Sequence, residues 1–91
     1  MPSLSAAAPA ADRYPTTAFC VKARAEPGVM PRLLELFAKR GLVPERWHGA
    51  VLRPAMTLTI DIEIAGLEAE AAEYVANCMR QVAGVELVST G

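Results

Sequence analysis

An α+β domain is what this sequence predicts: a four-stranded antiparallel sheet with two helices on one of its faces. Three observations carry that expectation. Some stretches alternate apolar and polar residues, others repeat apolar residues every three or four positions, and the two kinds succeed one another as strand, helix, strand, strand, helix, strand. A length of 91 residues suffices for one such core and leaves no room for a second.

The first strand is read in "TTAFCVKARA" (16–25), where Phe19, Val21 and Ala23 alternate with Cys20, Lys22 and Arg24. From Gly28 the period changes. Met30, Leu33, Leu34 and Phe37 fall on one helical face, with Arg32, Glu35 and Lys39 opposite. "KRG" closes this helix, because basic side chains suit its carbonyl end and Gly41 suits a left-handed cap. "LVPERWHGAVL" (42–52) is a less regular strand whose Pro44 and Gly49 point to a sheet edge or a bulge. "RPA" then turns the chain into "MTLTIDIEI", with Met56, Leu58, Ile60, Ile62 and Ile64 directed to the core. In "GLEAEAAEYVANCMRQVAG" (66–84) the apolar stripe of a second helix is Leu67, Ala71, Tyr74, Val75, Cys78, Met79 and Val82. Glutamates load its first half in the favourable dipole sense. "GVELVST" supplies the fourth strand.

Two strand–helix–strand units with right-handed crossovers make a ferredoxin-like βαββαβ sandwich, in which the first and third strands are central neighbours. Lys22 and Arg24 then share the open sheet face with Thr57, Thr59, Asp61 and Glu63, and their opposite charges are expected to pair across strands. Residues 1–15, rich in Ala, Pro and Ser, read as a disordered tail, and residues 16–91 as the single domain. That tail has neither the basic start nor the continuous apolar stretch of a signal peptide.

Composition narrows the function. With 53% hydrophobic and 21% charged residues the chain is built to fold. A net charge of −1, with acids and bases intermixed, provides no field for nucleic acid or a membrane surface. No apolar run reaches the length of a membrane span. Cys20 and Cys78 stand far apart, with no second Cys or His at ligand spacing, so neither a disulfide framework nor a metal site is expected. Two unpaired thiols suit a reducing cytoplasm.

Among candidate sites, "EPGVMP" (26–31) leads. A glycine at a strand-to-helix turn is expected to relieve a backbone shape that side chains resist, and Pro31 needs no amide hydrogen in the first helical turn. The turn would leave free N–H groups near Gly28, Val29 and Met30, a seat for a carboxylate. Trp47 and His48 form a lone pair on the second strand and suggest a ligand or partner contact at an edge or interface. His48 has no nucleophile or second base in pattern with it. Asp61 and Glu63 share a strand face, but pairing with Lys22 and Arg24 explains them without acid–base chemistry. The outward positions of the central strands carry no aromatic residue on which RNA bases could stack. No catalytic residue, metal site or cofactor is therefore assigned, and the chain is not expected to be an enzyme.

The stretch "PGVMPRLLELFAKRGL" (27–42) resembles the opening of ACT domains, small modules that bind amino acids and regulate metabolic enzymes. It is most similar in look to the small regulatory subunit of acetolactate synthase. Pro27, Gly28, Val29, Met30, Arg32, Leu36, Phe37, Arg40 and Gly41 fit that pattern, and "VANCMRQVAGVELV" is similar to the family's last helix and strand, so the likeness covers residues 17–90. It implies an amino-acid effector held at Glu26, Pro27, Gly28, Val29 and Met30, in a branched-chain biosynthetic setting. It also implies side-by-side homodimers and a catalytic subunit as partner. Two departures stand out: Ala25 and Val43 occupy positions where the family usually has polar residues that hold the ligand's ends. They favour an alternative, an interaction module that keeps the fold but binds no small molecule.

Overall fold

The computed structural model describes residues 15–91, so the tail expected over 1–15 lies, Pro15 apart, outside the described residues. The elements are β1 (Thr16–Arg24), α1 (Val29–Lys39), β2 (Arg46–Leu52), β3 (Thr57–Ala65), α2 (Ala69–Arg80) and β4 (Val85–Thr90). All strand pairs are antiparallel and the sheet order is β2-β3-β1-β4. This is the predicted ferredoxin-like βαββαβ sandwich, with β1 and β3 in the middle. β2 lies at an edge, as Pro44 and Gly49 suggest, and its register against β3 runs without a bulge. The bulge falls instead between β1 and β4, at Lys22/Ala23.

One aliphatic core forms between the sheet and both helices. Phe19, Val21 and Ala23 of β1 and Leu58, Ile60, Ile62 and Ile64 of β3 meet Val29, Leu33 and Phe37 of α1 and Ala72, Val75, Ala76 and Met79 of α2. The alternation of both central strands is as the sequence predicts. The helix faces differ from expectation. In α1 the row at intervals of four, Val29–Leu33–Phe37, is buried, while Met30 and Leu34 lie one helical step round and are exposed. In α2 the small residues Ala72 and Ala76 face the sheet, which lets the helix lie close, while Ala71 and Tyr74 point out. Met56 is not a strand residue: it sits at φ 57 in the turn before β3 and is exposed.

α1 ends as its sequence suggests. Gly41 is left-handed at φ 69, and Gly41 and Leu42 donate their N–H groups to the carbonyls of Ala38 and Phe37 at 3.1 and 2.9 Å. From the same turn the Arg40 guanidinium donates to the Tyr74 hydroxyl at 3.4 Å and to the Cys78 sulfur at 3.3 Å. It also stacks over the Tyr74 ring, 5.4 Å from its centroid. These contacts tie the end of α1 to α2 and draw Tyr74 off the core, with the tyrosine hydrogen bond pushing the arginine pKa up. Arg80 performs the matching task for α2, donating to the Val88 carbonyl at 2.9 Å and the Asn77 side-chain oxygen at 2.6 Å.

Candidate functional site

The β1–α1 turn is held from two sides. The Ala25 N–H donates to the Met56 carbonyl in the β2–β3 hairpin at 3.1 Å, and the Arg24 N–H donates to the Gly84 carbonyl in the α2–β4 turn at 2.9 Å. Gly84 has φ 96, and a β-carbon there would stand 2.8 Å from Val29 Cγ2 and 3.3 Å from Glu26 Oε1. The absence of a side chain at Gly84 thus lets the turn close against β4. Glu26 leans over Gly84 and pairs with Arg24, Oε2 to Nε at 3.5 Å.

The predicted effector residues separate into three groups. Val29 belongs to the core: its side chain is fully buried and its N–H donates to the Glu26 carbonyl at 3.2 Å. Pro27 has no N–H. Gly28 and Met30 retain N–H groups that, among the described residues, meet no acceptor, because the first intrahelical bond is Arg32 to Gly28 at 3.2 Å. The turn therefore offers two amides, not three.

Gly28 also corrects the expectation about backbone shape. Its φ of −82 and ψ of −9 are open to any residue. What the missing side chain provides is room for Arg32, whose Nη1 would lie 2.8 Å from a β-carbon at Gly28. Arg32 therefore folds back over the helix start, and among the described residues its guanidinium pairs with no acid. Sequence reasoning placed Arg32 on the polar helix face and in the family pattern, but gave it no part in the site. The signal was the i, i+4 spacing from Gly28, which sets a long side chain over the bare position.

Met30 reaches toward the edge strand, its sulfur 3.8 Å from where a β-carbon of Gly49 would stand. Trp47 is half-buried and turns inward, edge-on to Phe37 with ring centroids 6.3 Å apart. His48 projects on the opposite, open face, across from Asp61. The pair does not converge on one site. Ala25 is half-buried and Val43 is 80% exposed, and both side chains are hydrocarbon, so neither supplies a polar group to the turn.

The expected cross-strand charge pairs do not form. The register sets Lys22 opposite Thr59 and Arg24 opposite Thr57, while Asp61 and Glu63 face Cys20 and Ala18. A shallow cavity of about 360 Å³ opens there, lined by Ala18, Cys20, Asp61, Glu63, Arg46 and Ser89 among others, at the opposite end of β1 from the turn. Among the described residues no group of His, Cys, Asp and Glu is arranged to hold a metal ion. No helix among them is long and apolar enough to cross a membrane.

Comparison with solved structures supports the fold. The ACT domain of a GTP pyrophosphokinase from Chlorobium tepidum is similar with a TM-score of 0.73 at 12% identity, covering 86% of this chain and 99% of that one. The C-terminal domain of the MgtC protein from Mycobacterium tuberculosis is similar at 0.65 and 14% identity, covering 84% of each chain. A formyltetrahydrofolate deformylase from Pseudomonas putida is similar at 0.63 and 12% identity, over 85% of this chain and 28% of that one. Among curated proteins none matches. The model of the ACT-like domain matches residues 10–90, the span that contains the sheet, both helices and the turn of residues 26–30, and the chain belongs to that family.

Proposed function

We propose that this chain is a regulatory module without catalysis of its own, similar in role to the small subunit of acetolactate synthase in branched-chain amino-acid biosynthesis. In this reading a cytoplasmic homodimer binds an amino-acid effector at the turn of residues 26–30 and passes the effect to a catalytic subunit. One observation supports it above others. The amides of Gly28 and Met30 are unmet, and the unpaired Arg32 guanidinium lies over the same helix start. A cation beside a helix N-terminus is opposed by the helix dipole, and an anion between them relieves both. The effector carboxylate fits there, and the Glu26 carboxylate, already beside the turn, faces an ammonium group. Regulation then consists of an effector that binds one arrangement of two modules better than another.

The dimer in this reading forms through the free edge of β2. Val51 and Leu52 on that strand and Met30 and Leu34 beside it are all exposed, between 39% and 50%. An uncovered edge strand of this kind is a liability in a lone domain. Val51→Lys is expected to halve the mass of the edge-paired species in sedimentation, and an unchanged mass would place the interface elsewhere.

Thermal unfolding against a panel of amino acids, valine, leucine and isoleucine included, tests the effector. A ligand at a hundred times its dissociation constant adds about 2.7 kcal/mol, roughly 10 °C for a domain of this size. Arg32→Gln should weaken the selective ligand by about tenfold or more, the worth of one charge-assisted hydrogen bond. Gly28→Ala should do the same by displacing the guanidinium. A ligand that shifts the melting point equally in both variants binds elsewhere. No shift with any amino acid would favour the second reading, an interaction module for a larger enzyme subunit, for which Ala25 and Val43 already speak.

A further inference from the structure

The open face of the sheet is charged in a pattern that fits itself. Along β1 and β3 the face carries Lys22 and Arg24 at one end, and Asp61 and Glu63 at the other. The acids flank Ala18 and Cys20, the small residues that floor the cavity described above. Among the described residues Lys22, Asp61 and Glu63 make no ion pair. Arg24 is tied only to Glu26, a pair whose side chains are 63% and 49% exposed and which exchanges at little cost. Arg46 and His48 on the edge strand stand directly across from Glu63 and Asp61, and Arg46 lines the same cavity, so that end carries two acids against one arginine.

We infer that this face binds the same face of a second copy, with Lys22 and Arg24 of each seated in the other's cavity, beside Asp61 and Glu63. A two-fold axis running across the strands near Val21 brings β1 over β1 in opposite directions. Lys22 then stands over Cys20 of the second copy, with that copy's Asp61 beside it, and Arg24 over its Ala18, with its Glu63 beside it. The long basic side chains fall where the facing strand is small, and each contact occurs twice because the interface is its own complement. Two twisted sheets pack face to face in this nearly aligned manner. Four strands spaced about 4.8 Å apart and about 25 Å long give roughly 500 Å² per copy, roughly 1,000 Å² in all, the lower end of interfaces that hold. This contact uses a surface separate from the β2 edge, so the two together make a pair of pairs.

The experiment is sedimentation of the full chain over a concentration series in the Val51→Lys background, chosen to remove edge pairing. The remaining dimer is expected to weaken as salt rises, since its charges are only partly buried. Lys22→Glu with Arg24→Glu should give a monomer, and so should Asp61→Lys with Glu63→Lys. Mixed in equal amounts, the two reversed chains should recover the dimer, because each basic pair again meets an acidic one. A monomer before any charge is reversed would overturn the inference. A dimer that survives both reversals would overturn it too, as would two reversed chains that stay monomeric when mixed. Edge pairing is read independently, from the difference in mass between the wild-type chain and Val51→Lys.

Discussion

Gly84→Ala should destabilise the domain by about 2–5 kcal/mol, the sum of roughly 1–2 for a side chain at positive φ and roughly 1–3 for overpacking. The φ of 96 is one cause. The other is the new β-carbon, 2.8 Å from a methyl group of Val29, which is fully buried and has nowhere to retreat. Gly28→Ala makes the control, because its β-carbon also meets a neighbour at 2.8 Å. That neighbour is the free end of the exposed Arg32 side chain, and φ is −82, so the loss should stay below about 1 kcal/mol. Urea unfolding of the two variants separates the explanations. Equal losses would mean that contact distance alone, and not what stands at the other end of it, governs these glycines.

Phe37→Ala is the other large loss, about 3–5 kcal/mol. Phe37 is 1% exposed, lies on the buried row of α1, and supports the half-buried Trp47 edge-on. Removing the ring opens a cavity between α1 and β2 that aliphatic neighbours cannot fill without moving the helix. A domain of this size holds a total near the low end of about 5–15 kcal/mol, so the variant should be partly unfolded at ordinary temperature. Trp47 is the sole tryptophan, and its fluorescence follows the transition directly. A loss below 1 kcal/mol would show that α1 is anchored by Val29 and Leu33 alone.

The order of elements and the inward rows of β1 and β3 were legible because a period of two needs no partner to be recognised. The helix faces were less so. Met30 and Leu34 are as apolar as the residues that are buried, and which lie inward depends on how far the sheet extends beneath each helix; Tyr74 adds a hydroxyl that Arg40 draws outward. Ala72 and Ala76 were passed over because small residues carry little apolar signal, although smallness is what lets α2 approach. The open face defeated the reading for a different reason. Strand alternation tells which face Lys22 and Asp61 share, but register decides which residue each meets, and register is a tertiary property. At the turn, sequence identified Gly28 and missed why it is there, since the cause is a side chain four residues away.

The strand order bears on how the chain comes together. Only β2 and β3 are sequence neighbours that pair as a hairpin; β1 must wait for β3, and its other side waits for β4. The last strand made borders the first, closed by reciprocal backbone hydrogen bonds between Ala18 and Gly91. Most of the loop-closure entropy is therefore spent before the central strand is flanked, which belongs to slow, non-local folding rather than to the fast local kind. During synthesis the domain cannot be finished until Thr90 has left the ribosome. Until Gly84 has emerged the Arg24 amide has no carbonyl to meet, so the turn that holds the candidate site is completed late.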